Sequence, residues 1–540
     1  MLHLKKFQSL SKIIRSYSQA TSDMCGDASG SGGKKGLVIG AYNSDGCNDK
    51  AAELSEIGKS FDSSNGGKVT ELLKGLRIRT GTVYTFANVS SMYSEIAVVG
   101  MGKKGAGYNE LENIDDFKEN ARVAAGVGSR ILQKHGIENI TVDNFGDVEA
   151  AAEGANLGIW QYQENKDDNY KKNEAKVNLS EGNKEQWDRG TLKAECQNIA
   201  RCLCETPANL LTPTKFSKRA IDILCPYGIQ VYARDRKWME KMKMNGILNS
   251  AKGSCEPPMF LQIDYCGHPN LYEKPIVLVG KGTTFNSGGL CLKECEGMSE
   301  FRADMSGAAV VVAVFKAVAS MRLPINLHGV IPLFEHMISG MAMKPGDMVL
   351  GPNGKSIRDQ YTDAFSRIAL ADALHYSKIF TPAHILSIAT MSSGIRDTLG
   401  FGPNAVFSTS DTIWEQLAFA GSLTGDRMWK MPLFQDYRDL ITENCNCDVH
   451  NLGQNVPGES CIGAGFLMEF APRVEYAHID STGTGMLSNG FIPYLKEGLM
   501  SGRPTRTIIQ YLCHFAYECN KKENLKSTAA MDCIEDETKP

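Results

Sequence analysis

The apolar run that ends at Val279 leads directly into Gly280-Lys-Gly-Thr-Thr-Phe-Asn-Ser-Gly-Gly. Lys293 follows, and then Arg302-Ala-Asp304 at the head of an apolar helical stretch. A second charged cluster, Asp363 and Arg367, again stands at the start of a helical pattern. Carboxylates and lysines gathered between strands and helices are the groups from which a polar site is made, because carboxylates accept from amines or hold cations and lysines donate to anions. The same residues have a plainer reading. Asp304 and Asp363 would serve as helix N-caps, the glycine-rich segment as a turn and the lysines as surface charges. Residue types alone leave both readings open. The phosphate-loop pattern is absent, since Lys281 precedes most of the glycines instead of closing the loop. Neither an HExxH helix nor a GxSxG elbow occurs.

Such groups need a scaffold, and the flanking sequence supplies one. Apolar runs at 275–279, 326–333 and 385–390 predict buried strands, separated by predicted helices over 305–321 and 364–379. This alternation predicts a mostly parallel central sheet flanked by helices, with ligands gathering beyond the carboxyl ends of the strands. Upstream, short apolar runs at 36–41 and 94–99 alternate with a helical stretch at 117–135, which predicts an N-terminal α/β domain over 35–165. A polar stretch at 163–188 places a linker and helix at 166–194. The second domain then runs over 195–518, opening with a helical pattern through Ala200, Leu203 and Leu211, and 519–540 reads as a polar tail.

With the motifs on the page, the chain resembles the leucyl aminopeptidase (cytosol aminopeptidase) family of dinuclear metallopeptidases. The likeness is carried by Val279-Gly-Lys-Gly-Thr-Thr-Phe-Asn-Ser-Gly-Gly, Arg302-Ala-Asp-Met, Asn353-Gly-Lys and Tyr361-Thr-Asp-Ala-Phe-Ser-Arg. It continues through Lys34-Lys-Gly-Leu-Val-Ile-Gly, Glu205-Thr-Pro-Ala-Asn-Leu-Leu-Thr-Pro and Tyr476-Ala-His-Ile-Asp. The resemblance implies a macro-like N-terminal α/β domain that supports a homohexamer, and a C-terminal peptidase-like domain. It also implies that two divalent metals are held where this chain has Lys281, Asn286, Asp304, Asp363 and Phe365. Catalysis would fall to Lys293, and a bicarbonate-holding arginine to Arg367. At two of the metal positions the chain departs from the family, which has bridging carboxylates where Asn286 and Phe365 stand. Such a centre needs matched ligand number and charge, and both ions within roughly 3.5–4 Å of each other. The expectation is that no dinuclear centre forms and that no metal cofactor is held. Lys281 and Lys293 are then expected to pair with Asp304 and Asp363.

Composition narrows the class. Of 540 residues 42% are apolar and 22% charged, with a formal net charge of −4 and no basic stripe, so no nucleic-acid partner is expected. No apolar run in the sequence approaches the ~20 residues of a membrane span. The 16 cysteines show no CxxC pair and no disulfide-framework spacing, which suits buried thiols in a reducing compartment. Residues 1–22 are basic, serine-rich and free of acids, with Phe7, Leu10, Ile13 and Ile14 on one helical side and Lys5, Lys12 and Arg15 on the other. That pattern predicts a transit peptide to the mitochondrial matrix, joined by a Gly/Ser-rich linker at 23–34.

These readings lead to a family member without catalysis and with a structural role in mitochondria. Within the family the chain resembles the sperm-type leucyl aminopeptidases of insects, which implies structural material of the sperm mitochondrial derivative and assemblies larger than a hexamer. The alternative is an active Mn- or Zn-dependent aminopeptidase releasing N-terminal residues such as leucine from peptides, with one or two divalent metals and Lys281, Asp304 and Asp363 as the retained ligands. A third reading is a module that holds peptides or metabolites in the same pocket without cleaving them.

Overall fold

A computed structural model of the chain describes residues 33–43, 52–172, 174–443, 446–453 and 457–517. The predicted transit peptide, nearly all of the 23–34 linker and the 519–540 tail lie outside the described residues. The strand Lys35–Ala41 is buried from Gly36 onward, as an apolar strand covered on both faces must be. It pairs in parallel with Glu95–Gly100 and Asn139–Val142, at the centre of a five-stranded sheet. Side chains alternate across it. Val38 packs with the alanines of helices Asp116–Lys134 and Val148–Ile159, whereas Leu37 and Ile39 face Val69 and Leu73. Both helices begin at aspartates that cap them, Asp115 accepting from the amide of Lys118 and Asp147 from that of Ala150.

The stretch at 166–194, expected as a polar linker and helix, contains the start of a helix and also a strand. Lys176–Leu179 pairs in parallel with Asn139–Val142 as the outermost strand of this sheet, and Asn183 caps the helix Lys184–Glu205. An edge strand buries only part of each side chain, so its sequence stays polar and reads as a connection.

The C-terminal domain is built on a sheet whose four middle strands are parallel, in the order Glu475–Asp480, His384–Ala389, Ile276–Gly280, Asn326–His336. The antiparallel strands Met259–Cys266 and Gln230–Arg234 extend one side. Helix Ser306–Met321 covers one face, packing on Ile276, Leu278, Leu386 and Ile388. Helix Phe365–Ser377 covers the other, against Val277, Val279 and Ile385. The N-terminal α/β domain and the mostly parallel, helix-flanked sheet are thus as expected. One expectation needs correction: the helical stretch Met298–Met321 spans 24 residues at a mean hydropathy of 1.5, long and apolar enough to cross a membrane. It is apolar all round because it is the core helix, with every residue from Ser306 to Phe315 buried.

A buried ionic network ties the domains together. Arg122 and Arg506 both donate to Glu153 Oε2, at 2.6 and 2.5 Å, and Arg506 also donates to Gln197 Oε1 at 2.6 Å. Arg122 reaches the carbonyl of Leu423 as well. Burial alone would raise the Glu153 carboxyl, but Arg122, Arg506 and Lys193 hold it down at about 2.

Candidate active site

The sheet delivers its polar groups at the carboxyl ends of the parallel strands. Lys281 follows Ile276–Gly280 directly, Thr390 follows His384–Ala389, and Asp480 ends Glu475–Asp480. Asn286 is carried by Gly282–Asn286, a segment that reads as a loop in the sequence. It is a short strand, pairing in parallel with the distal half of Asn326–His336. Its glycine and threonines hid it, because they give no apolar run. Gly307 lets the core helix start against these strand ends: a Cβ there would stand 2.0 Å from the carbonyl oxygen of Ile388. Asp304, just ahead of that helix, is therefore brought beside Lys281.

Neither aspartate is a helix cap. The helix Ser306–Met321 begins at Met305 and the helix Phe365–Ser377 at Ala364, and neither start has a side-chain cap. Asp304 and Asp363 instead face lysines. Lys281 Nζ donates to Asp304 Oδ1 at 2.7 Å and to the Thr390 carbonyl at 2.5 Å. Lys293 Nζ donates to Asp363 Oδ2 at 2.5 Å and lies 4.0 Å from the ring centroid of Phe301. Asn286 joins the two pairs, its Nδ2 donating to Asp304 Oδ2 at 3.0 Å and to Asp363 Oδ1 at 3.3 Å, while its Oδ1 accepts from the amide of Gly288. Thr390 Oγ1 adds a donor to Asp304 Oδ1 at 2.7 Å. The expected pairing of both lysines with both aspartates is present.

These groups line a cavity of about 390 Å³ together with Tyr361, Ser392, Arg396 and Glu459. Two predicted site residues do not reach it. The ring of Phe365 is wholly buried in the core of the second face, stacked on His336 with centroids 3.8 Å apart and edge-on to Phe334 at 5.6 Å. Lys281 Nζ passes 5.5 Å from its centroid. Arg367 is also fully buried; its guanidinium donates to the Asn451 carbonyl and, at 2.6 Å, to Glu459 Oε1. Gly463 makes room for it, since a Cβ there would lie 2.9 Å from Arg367 Nε. The face that the arginine was expected to present belongs instead to Glu459, which no sequence motif marked. Behind the lysine pair, burial pushes the Asp480 carboxyl up to about 6, against hydrogen bonds from Thr482 and Met391 and the charge of Lys281.

The donor set does not fit two divalent ions. Every oxygen of Asp304 and Asp363 already accepts from a side chain of this cluster, and Asn286 turns its amide nitrogen, not its oxygen, toward both. Among the described residues no three His, Cys, Asp or Glu side chains stand close enough together to hold a metal ion. The arrangement presents a neutralised, hydrogen-bonded cavity wall.

Comparison with known proteins agrees with this architecture. The cytosol aminopeptidase family catalytic domain matches residues 198–509, and that family's N-terminal domain matches residues 38–169. The chain is 42% identical to the cytosol aminopeptidase of Sus scrofa over 488 residues, 90% of this chain and 93% of that protein. It is 41% identical to that of Homo sapiens over the same length, with the same coverage of each chain. It is 36% identical to that of Dictyostelium discoideum, over 88% of this chain and 92% of the other. Among solved structures it is similar to the bottromycin maturation enzyme BotP, also solved in complex with Mn, with a TM-score of 0.75 and 25% identity over 90% of this chain and 100% of that one. With both domains matched in order and curated relatives aligned along nearly their whole length, the chain belongs to the cytosol aminopeptidase (leucyl aminopeptidase) family.

Proposed function

We propose that this chain is a catalytically silent member of its family, retained as a structural protein of mitochondria, sperm mitochondria included, and built as a homohexamer that packs into larger assemblies. One observation carries the reading. The remaining aspartates, Asp304 and Asp363, are each paired with a lysine, Lys281 and Lys293, and the family resemblance puts Asn286 and Phe365 where bridging carboxylates are expected. A two-metal hydrolase needs ions that activate water and polarise the scissile carbonyl. This wall offers lysine–carboxylate pairs instead. The basic, acid-free segment at 1–22 supports delivery to the mitochondrial matrix.

The active Mn- or Zn-dependent reading keeps one observation in its favour: Lys293 and Asp363 still face an open cavity. The two readings separate in one experiment. Purified mature protein is assayed for bound metal by mass spectrometry and for leucine release from a chromogenic amide with manganese added. The expected result is no stoichiometric metal and no turnover above background; about two metals per chain with ordinary turnover overturns the proposal. Asn286→Asp and Phe365→Glu introduced together are expected to restore metal uptake. The hexamer is checked by sedimentation.

A further inference from the structure

A second cavity, of about 880 Å³, opens where the two domains meet. Arg130 and Lys134, in the last turns of helix Asp116–Lys134, form one wall with Trp160 and Lys172. Pro493, Lys496 and Glu497 of the C-terminal domain form the other. The walls meet where Val127 packs with Leu495 and where Arg130 donates to the Pro493 carbonyl at 2.6 Å.

The charge of this cleft is unbalanced. Among the described residues neither Arg130, Lys134, Lys172 nor Lys496 has an acidic partner, and Glu497 is the one carboxylate on the walls. Partial burial, together with Lys172, Lys166, Lys134 and Arg130, lowers the Lys496 ammonium from its ordinary range. These cations therefore feel one another across the cleft.

A further cation lies behind the wall. Arg201 is wholly buried, and its guanidinium stands 3.9 Å from the ring centroid of Trp160. It donates to the carbonyls of Met500 and Leu157 and to Asn198 Oδ1, yet one terminal nitrogen has no partner, and no carboxylate pairs with it. Burying a guanidinium is costly, and burial brings Arg201 down to about 9, the charge of Glu205 opposing that shift and the charge of Arg130 adding to it. An anion on the open side of Trp160 would offset that cost and the repulsion among the lysines together.

We propose that this cleft binds a small phosphate-bearing polyanion, gripped from the N-terminal domain by Arg130, Lys134 and Lys172 and from the C-terminal domain by Lys496. Several cations spaced around one concavity match the several oxygens of linked phosphates, which accept charge-assisted hydrogen bonds from lysine and arginine. The volume is that of a small-ligand pocket. Because the ligand would bridge both domains, its binding stabilises the folded chain by mass action.

The test titrates the purified full chain with inorganic tripolyphosphate and, in a separate arm, with ATP, read by calorimetry and by thermal shift. Saturable binding below about 1 mM that raises Tm and weakens with added salt is expected for tripolyphosphate. The paired variant K134E/K496E changes two exposed side chains and is expected to weaken binding at least about tenfold without lowering the Tm of the unliganded protein. The control K218E/K237E, away from the cleft, is expected to bind as the wild type does. ATP binding more tightly than tripolyphosphate identifies a nucleotide as the ligand, and equal affinity identifies the phosphate chain alone. No saturable signal with either compound, unchanged affinity in K134E/K496E, or tighter binding of duplex DNA than of tripolyphosphate overturns the proposal.

Discussion

The ring of Phe365 lies face to face with that of His336, with centroids 3.8 Å apart and planes 19° from parallel. His336 is itself fixed, its Nδ1–H donating to the Ser250 carbonyl at 2.9 Å, and burial lowers its imidazole from the ordinary range. Position 365 has thus become part of the core, with an aromatic partner waiting for it. Phe365→Ala should cost about 3–5 kcal/mol of stability, the usual range for deleting a buried phenylalanine, and Phe365→Leu under about half of that. Urea denaturation of the two variants measures both. A cost below about 1 kcal/mol for the alanine variant would mean that the ring contributes little to the core.

Lys281 and Asp304 are both buried and face each other at 2.7 Å. Removing one partner strands the other, so Lys281→Met should destabilise by about 3–5 kcal/mol. Adding Asp304→Asn to it should recover part of that loss, leaving the double variant well short of the sum of the singles. Strict additivity in the cycle would show that the pair is not coupled.

Glu459 stands between Arg367 and the cavity, at 2.6 Å from the guanidinium. Glu459→Ala leaves that buried guanidinium without its carboxylate. A loss of about 1–3 kcal/mol is expected, at the low end because Glu459 itself is partly exposed to water. Thermal unfolding at two salt concentrations checks it, since a buried pair is screened less than a surface one.

Asp372 provides the pH test. Its carboxyl is fully buried and accepts from the Ile247 amide at 2.9 Å, and burial pushes it up to about 8. The unfolded chain has an ordinary carboxyl near 4, so between about pH 4 and pH 8 the folded state holds the extra proton. Stability therefore falls as pH rises through that window, by up to about 1.4 kcal/mol per pH unit for this one group. Asp372→Asn removes the titration, so the stability of the variant relative to wild type should be greater at pH 8 than at pH 6. Equal differences at the two values would show that Asp372 does not titrate in this range.

The parallel strands around the site were readable because a strand buried on both faces is apolar without interruption, as in Ile276–Gly280 and His384–Ala389. The lysine–aspartate pairing was readable from the motif positions. The strands Gly282–Asn286 and Lys176–Leu179 were not, because one is glycine- and threonine-rich and the other lies at a sheet edge. The direction of the Phe365 ring and the partner of Arg367 depend on His336 and Glu459, residues distant in sequence. No local pattern encodes contacts of that kind.

The network of Arg122, Glu153 and Arg506 bears on any higher-order structure formed from this chain. A swivel between the domains would have to part Arg506 from Glu153 and Arg122 from the Leu423 carbonyl, so the network resists the hinge motion that a two-domain chain ordinarily allows. A brick whose halves resist hinging presents its outer faces at a narrower range of angles. In a lattice of such bricks, misalignment at one junction would not be amplified by flexing within the next, and order could extend over many copies.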